Sequence, residues 1–238
     1  MGIVKMGPPA EIILKLKDAY NISRFVETGT YYGNTAFWAS RFFKQVLTIE
    51  YSEIIYSQVT KKFNHVKNIE FSYGDTRDRL KDIVAKLGAP CIFWLDAHWS
   101  GGLTYGNNDD CPIIEEIEII NNSKYDNFIF IDDARFFMSP PPRPHAVENW
   151  PDIAMVLNAL HSANGKKYIV IIEDVIIAVP DTAKAIVSQY CQDANTKLWE
   201  NYDTTDFRKG LSLICQEMKK CAVFPWKIVN RLFKPNGR

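Results

Sequence analysis

The sequence carries no net charge: 28 lysines and arginines meet 28 aspartates and glutamates. No global field exists to gather a polyanion, so nucleic acid is not the expected partner. No apolar run is long enough to span a bilayer. The segment Met1-Gly2-Ile3-Val4-Lys5 lacks the form of a secretory signal, and Met6 stands where an N-myristoylation signal needs Ser or Thr. Cysteine is scarce, with five residues (Cys91, Cys111, Cys191, Cys215 and Cys221) and no CxxC pair. An odd count, with Cys91 inside an apolar run, reads as reduced thiols in a cytoplasmic compartment. Glycine is sparse too, and a full G-x-G-x-x-G fingerprint is missing, which argues against a dinucleotide-binding dehydrogenase.

What is present is enough apolar residue, 47% of the chain, to bury one sizeable core, so a single domain over 1–238 is expected. Helical and strand patterns alternate from residue 10 to 180. A leading helix covers Glu11 to Lys17, and Arg24 to Glu27 is a first strand, with Asn34 as N-cap of the next helix. Strands follow at Val46 to Glu50 and Ile69 to Tyr73. Ser52 and Thr76 cap the two helices after them, and Gly88 ends the second in the left-handed conformation. Two buried strands end at Asp96 and at Asp132-Asp133, with a helix opened by Pro112 between them and a helix from Asp152 to Ala163 beyond. Tyr168 to Ile172 and Val175 to Val179 flank only Glu173-Asp174, a hairpin whose apolar runs imply burial beneath helices. The expected architecture is α/β: a parallel sheet ending in an antiparallel hairpin, with helices on both faces.

Chemistry gathers where strands end. In a parallel sheet those ends face the crevice in which ligands bind. Cys91 to Trp99 ends in Asp96-Ala97-His98, and Asn127 to Arg135 contains Asp132-Asp133. If the two strands are neighbours, Asp96, His98, Asp132 and Asp133 converge. Three carboxylates in one cleft repel unless a cation or a proton intervenes, so a divalent metal site or an acid/base site is expected. The first strand ends in Glu27-Thr28-Gly29-Thr30-Tyr31-Tyr32-Gly33, the second in Glu50, and the third in Gly74-Asp75. Glycines there permit a tight turn and close backbone approach, and Glu50 stands near the spacing at which an acid chelates ribose hydroxyls.

With these residues the chain resembles the class I S-adenosylmethionine-dependent methyltransferases, whose Rossmann-like sheet ends in such a hairpin. The resemblance implies cofactor contacts from Glu27 (methionine amino group), Thr28, Gly29, Thr30, Gly33, Glu50, and Gly74 with Asp75 (adenine). Trp94 to Gly102, Asp110-Cys111-Pro112, Ile131 to Arg135, Pro142 to His145 and Trp150-Pro151 narrow it. Over residues 24–180 the chain is similar to sugar and macrolide O-methyltransferases of the macrocin type. That likeness implies S-adenosylmethionine as cofactor and Asp96, Asp132 and Asp133 as ligands of Mg2+ or a similar divalent ion. Asp96-Ala97-His98 places His98 beside the metal position, where it is expected to serve as base with Asp96 beside it, and His145 is the alternate base. A sugar hydroxyl of a glycan or glycosylated metabolite is the implied acceptor. A catechol-like phenol serves the same chemistry, and a module that binds cofactor without catalysis is a third reading. Trp99, Tyr105 and Trp150 are candidates to stack on a sugar face, and Pro140 to Pro144 to wall the acceptor pocket.

Residues 219–238 contain no acid. Lys219, Lys220, Lys227, Arg231, Lys234 and Arg238 alternate with Val223, Phe224, Trp226, Ile228, Val229, Leu232 and Phe233. This basic amphipathic tail reads either as a peripheral membrane contact or as a helix packed on the core or on a second copy in a homo-oligomer.

Overall fold

The computed structural model describes residues 7–98, 110–162 and 165–200. Chain contacts divide it into two compact units, Met1–Ser188 and Gln189–Arg238. All that follows concerns the first; of the second, residues 189–200 are described and are helical. Trp99, Tyr105, Cys215, Cys221 and the basic tail lie outside the described residues.

The elements run α1 (Ala10–Ala19), β1 (Arg24–Thr28), α2 (Asn34–Ser40), β2 (Gln45–Glu50), α3 (Glu53–Lys62), β3 (Ile69–Tyr73), α4 (Thr76–Ala85) and β4 (Ile92–Leu95). Then come α5 (Ile113–Asn121), β5 (Phe128–Ile131), α6 (Arg135–Met138), α7 (Ile153–His161), β6 (Lys167–Ile172) and β7 (Val175–Pro180). The seven strands form one sheet in the order β3-β2-β1-β4-β5-β7-β6. β1 to β5 are mutually parallel, and β7 runs antiparallel to both β5 and β6. The expected architecture is therefore present.

β4 and β5 are buried at every position, as their unbroken apolar runs require of central strands. On one face, Leu80 of α4, Ile117 and Ile120 of α5, and Val156 and Leu160 of α7 pack on Phe93, Leu95, Ile129 and Ile131. Ile12, Ile13 and Leu16 of α1 and Ala36 and Ala39 of α2 are also fully buried, and Phe25 of β1 meets Trp38 of α2 edge-on. α3 buries Ile55 and Val59 with Phe63 and Phe71.

Several local expectations change. The N-cap of α2 is Gly33, at φ +73°, because the chain enters the helix from a left-handed residue that Asn34 need not adopt. Asp75 rather than Thr76 caps α4, its carboxylate at extended φ/ψ accepting the Arg77 N–H at 2.9 Å. Gly88 is not left-handed, since α4 has already ended at Ala85. The hairpin forms as expected, with Glu173 and Asp174 both at positive φ. Its β6 arm, however, is only partly buried: it is the outermost strand, with a neighbour on one side alone, and Ile171 is exposed.

One glycine fixes how β1 meets β4. Gly29 sits at φ +84°, and a Cβ there would lie 2.4 Å from the Asp96 carbonyl oxygen. The turn after β1 therefore runs against the backbone end of β4. Gly29→Ala should destabilise the protein by about 3 kcal/mol, combining left-handed strain with a backbone clash. Urea unfolding monitored by circular dichroism measures it.

Candidate active site

The parallel register sets the site's residues along one edge of the sheet. Thr28 pairs with Ile49 and Leu95, and Leu95 with Ile131. The next residues out are Gly29, Glu50, Asp96 and Asp132. The ladder continues past the strands, with Asp96 N donating to Thr28 O at 3.1 Å and Asp132 N to Leu95 O at 3.1 Å. The four sequence-predicted centres on β1, β2, β4 and β5 therefore share one edge.

On the β1–β2 side, Glu27 is buried and accepts the Thr48 hydroxyl at 2.6 Å, and Thr48 in turn meets Thr30 at 2.5 Å. Burial pushes Glu27 well above the ordinary carboxyl range, although the Thr48 hydroxyl works to lower it. Glu50 accepts Tyr31 N at 2.9 Å and Ser52 N at 2.8 Å, one on each oxygen. Burial raises its pKa, and those backbone donors restrain the rise. With Tyr51 N as a third backbone donor, the carboxylate retains capacity for a further hydroxyl donor. Gly33 N closes the turn on Thr30 O at 2.8 Å, and Gly74 N bonds Glu50 O at 3.0 Å. Asp75 is differently engaged: its carboxylate grips Arg77 through Nε at 3.0 Å and Nη2 at 2.7 Å. Its carboxylate thus also caps helix α4 through the Arg77 N–H.

On the β4–β5 side, His98 is the hub. Its Nε2 lies 2.7 Å from Asp133 Oδ2 and its Nδ1 lies 3.5 Å from Asp96 Oδ1. Asp133 Oδ1 takes Arg135 Nη1 at 2.7 Å. Arg135 is shared with Asp174 of the β6–β7 turn, which also accepts the Arg135 N–H at 2.9 Å. Asp132 turns aside to accept Asp133 N at 2.8 Å. Asp133 holds φ +55°, a conformation Asp tolerates better than most residues, and so points both oxygens at cations.

The titrations follow from this packing. Burial pushes Asp96 up to about 7, against the pull of His98, with Asp132 and Asp133 adding to the rise. Burial, then the Asp133 charge, lifts Asp132 to about 6. Burial would raise Asp133, but the hydrogen bond and charge of His98, then Arg135, hold it below its usual value. Burial works to lower His98; the Asp133 hydrogen bond and the surrounding carboxylates outweigh it, so the imidazole stays protonated above its usual pKa of 6.5.

A wall of aromatics backs His98. Trp150 and Phe136 lie edge-on to it at 5.5 and 6.2 Å, and His145 packs on the same two rings at 5.2 and 5.9 Å. The structure thus gathers His145 into the wall rather than against the carboxylates. Pro140 and Pro141 join Phe136, Phe137 and Trp150 around an apolar cavity of about 290 Å³.

Two residues of consequence were not expected from the sequence. Asp174 is nearly buried beneath Arg135; its signal was a two-residue turn requiring positive φ at both positions. Glu116 is wholly buried in α5; its signal was the apolar stripe Ile113, Ile117 and Ile120 on which it falls.

Among the described residues, no three His, Cys, Asp or Glu side chains are grouped to hold a metal ion. The acids expected to bind one are already engaged: Asp133 has a cation on each oxygen, and Asp132 bonds backbone. This donor set does not fit a divalent ion.

A mostly parallel sheet of this order, closed by an antiparallel pair, is the Rossmann-like methyltransferase fold. The chain is similar to a Klebsiella pneumoniae protein provisionally named an O-methyltransferase, with 14% identity, TM-score 0.50, and 74% of this chain and 81% of that one covered. It is also similar to a Staphylococcus aureus protein provisionally named a caffeoyl-CoA O-methyltransferase, at 15% identity and TM-score 0.53 over 74% and 86% of the two chains. The cofactor-bound Rv0187 of MTB matches at 15% identity and TM-score 0.50 over 75% and 83%. No protein-family model and no curated protein matches the sequence. At these identities the likeness is one of fold.

Because its folded pKa is raised, protonated His98 contributes stability through Asp133 that is full below about pH 6.5 while Asp133 stays ionised, and is lost as pH rises through the higher value. An NMR titration of the His98 ring should show a midpoint above 6.5, and Asp133→Asn should lower that midpoint. The stability gap between the native protein and D133N should narrow as pH rises through the same range.

Proposed function

We propose that this chain is an S-adenosylmethionine-dependent O-methyltransferase acting on a sugar hydroxyl of a glycan or glycosylated metabolite. One observation carries the reading. The acid-glycine turn of Glu27 and Gly29, with Glu50 at the end of β2 beside it, abuts, through the Gly29–Asp96 approach, a half-buried carboxylate and a buried imidazole backed by aromatic rings. A cofactor cleft and an acid/base pair thereby share one crevice.

S-adenosylmethionine, when bound, supplies a methyl group on a sulfonium. Glu27 would hold its amino group, the Gly29 and Gly33 backbones would admit it closely, and Glu50 would accept its ribose hydroxyls. Asp96, raised to about 7, would take the proton of the acceptor hydroxyl, whose oxygen would then receive the methyl group from the cofactor's sulfonium, leaving a neutral thioether. A carboxyl matched to neutral pH is well suited to that transfer. His98, held as a cation by Asp133, orients Asp96 and steadies the developing oxyanion. Phe136 and Trp150 supply apolar surface beside the reacting hydroxyl, which suits a sugar ring. Arg135 and His98 neutralise Asp133, so the reading routes no step through a metal ion.

The test is calorimetric binding of S-adenosylmethionine followed by labelled-methyl transfer to glycoside and catechol acceptors. Micromolar cofactor binding is expected, with methyl transfer to glycosides. Asp96→Asn and His98→Ala should each cut transfer by about 10² to 10⁴-fold with cofactor affinity little changed. Full transfer in both variants would refute the assignment, and transfer to catechols alone would shift the acceptor class. Treatment with a chelator should leave the rate intact; a loss restored by magnesium would return Asp96, Asp132 and Asp133 to the role of metal ligands.

A further inference from the structure

Glu116 is the acid on the buried face of α5, in line with Ile113, Ile117 and Ile120, and it has no solvent exposure. A leucine there would complete the stripe, and a carboxyl inside a core is costly unless its polar atoms are used. One oxygen is used. Thr28 Oγ1 donates to Glu116 Oε2 at 3.3 Å, and the same hydroxyl accepts Asp96 N at 3.3 Å. The other oxygen, Oε1, and the Thr76 hydroxyl, 1% exposed at the first position of α4, make no well-formed hydrogen bond among the described residues, yet that hydroxyl lies close enough to Glu116 to act on its titration.

These contacts place Glu116 behind two segments at once. Thr28 begins the turn that carries Gly29, Thr30 and Gly33, and Thr76 follows Gly74 and Asp75. We infer that Glu116 is a positioning residue for the nucleoside half of the cofactor, joining the turn after β1 to the start of α4 from inside the core. The inference rests on the cofactor reading above.

The protonation state supports it. Burial lifts Glu116 to about 8, against the Thr76 and Thr28 hydroxyls, so at neutral pH it is an acid with one acceptor for Thr28 and one O–H to offer toward Thr76. The charges facing it are Asp75 on the first turn of α4 and Glu115 beside it on α5. Arg77 lies between them, 2.7 Å from Asp75 and 3.6 Å from Glu115. Asp96 lies one hydrogen bond further, through Thr28. Ionisation of Glu116 would remove its donor and leave a charge in the core.

The experiment measures binding of methylthioadenosine, a nucleoside with no group titrating between pH 7 and 9, to the full chain and to Glu116→Gln and Glu116→Leu. The wild type should weaken by up to about tenfold from pH 7 to pH 9, as Glu116 ionises. E116Q, which keeps a donor and an acceptor, should bind within about twofold of wild type at pH 7 and stay flat. E116L should bind about tenfold more weakly at both pH values, with a thermal midpoint no lower than wild type. Equal binding by E116L, or an unchanged pH profile in E116Q, overturns the inference. If E116L does not fold, the comparison of E116Q with wild type decides alone. Wild type that binds neither methylthioadenosine nor S-adenosylmethionine overturns the cofactor reading, and this inference with it.

Discussion

Repulsion among carboxylates is the constraint around which this molecule is arranged. Parallel pairing of β4 with β5 fixes Asp96 and Asp132 side by side, with Asp133 next along the chain. Three acids in a half-buried crevice cannot all ionise unaided. The chain answers with His98 and Arg135 on the two oxygens of Asp133 and with raised pKa values at Asp96 and Asp132. His98 comes two residues after one acid and Arg135 two residues after another, so the compensating charge travels with the strands that create the need. The result is graded: Asp133 is held below its usual pKa, His98 above its own, and Asp96 is pushed up to about 7.

Backbone approach is the second requirement. The β1–β2 side and the β4–β5 side share a crevice because the turn after β1 passes close to the end of β4, an approach that a Cβ at Gly29 would block. Glu50 serves the same purpose from β2, holding Tyr31 N and Ser52 N so that the turn keeps its shape. Beneath both, Thr28 is bonded on one side to Asp96 N and on the other to Glu116.

Most of this was legible in the sequence because it depends on period and position. Unbroken apolar runs marked β4 and β5, and an acid at the end of a buried strand must lie at the crevice whatever its neighbours are. The two-residue link at Glu173-Asp174 marked the hairpin. What stayed hidden depends on distances between segments remote in sequence. Nothing local says that Asp174 reaches Arg135, 39 residues away, or that Glu116 meets Thr28 across 88. The burial of β6 was misjudged for a related reason: Ile169, Val170 and Ile171 read alike whether a strand is central or outermost. The metal expectation came from resemblance in the order of the acids, whereas whether they are available to an ion depends on rotamers and partners.

The Arg135–Asp174 contact ties the reactive edge to the last strands of the sheet. Arg135 follows β5, but its partner arrives only after α7 and β6 have been laid down, some forty residues later in synthesis. Until β7 closes against β5, Asp133 has lost the neighbour that holds Arg135 in place, and the balance of charge around His98 is incomplete. The charge balance of this edge is therefore complete only with the hairpin in place, so two segments remote in sequence share one electrostatic duty.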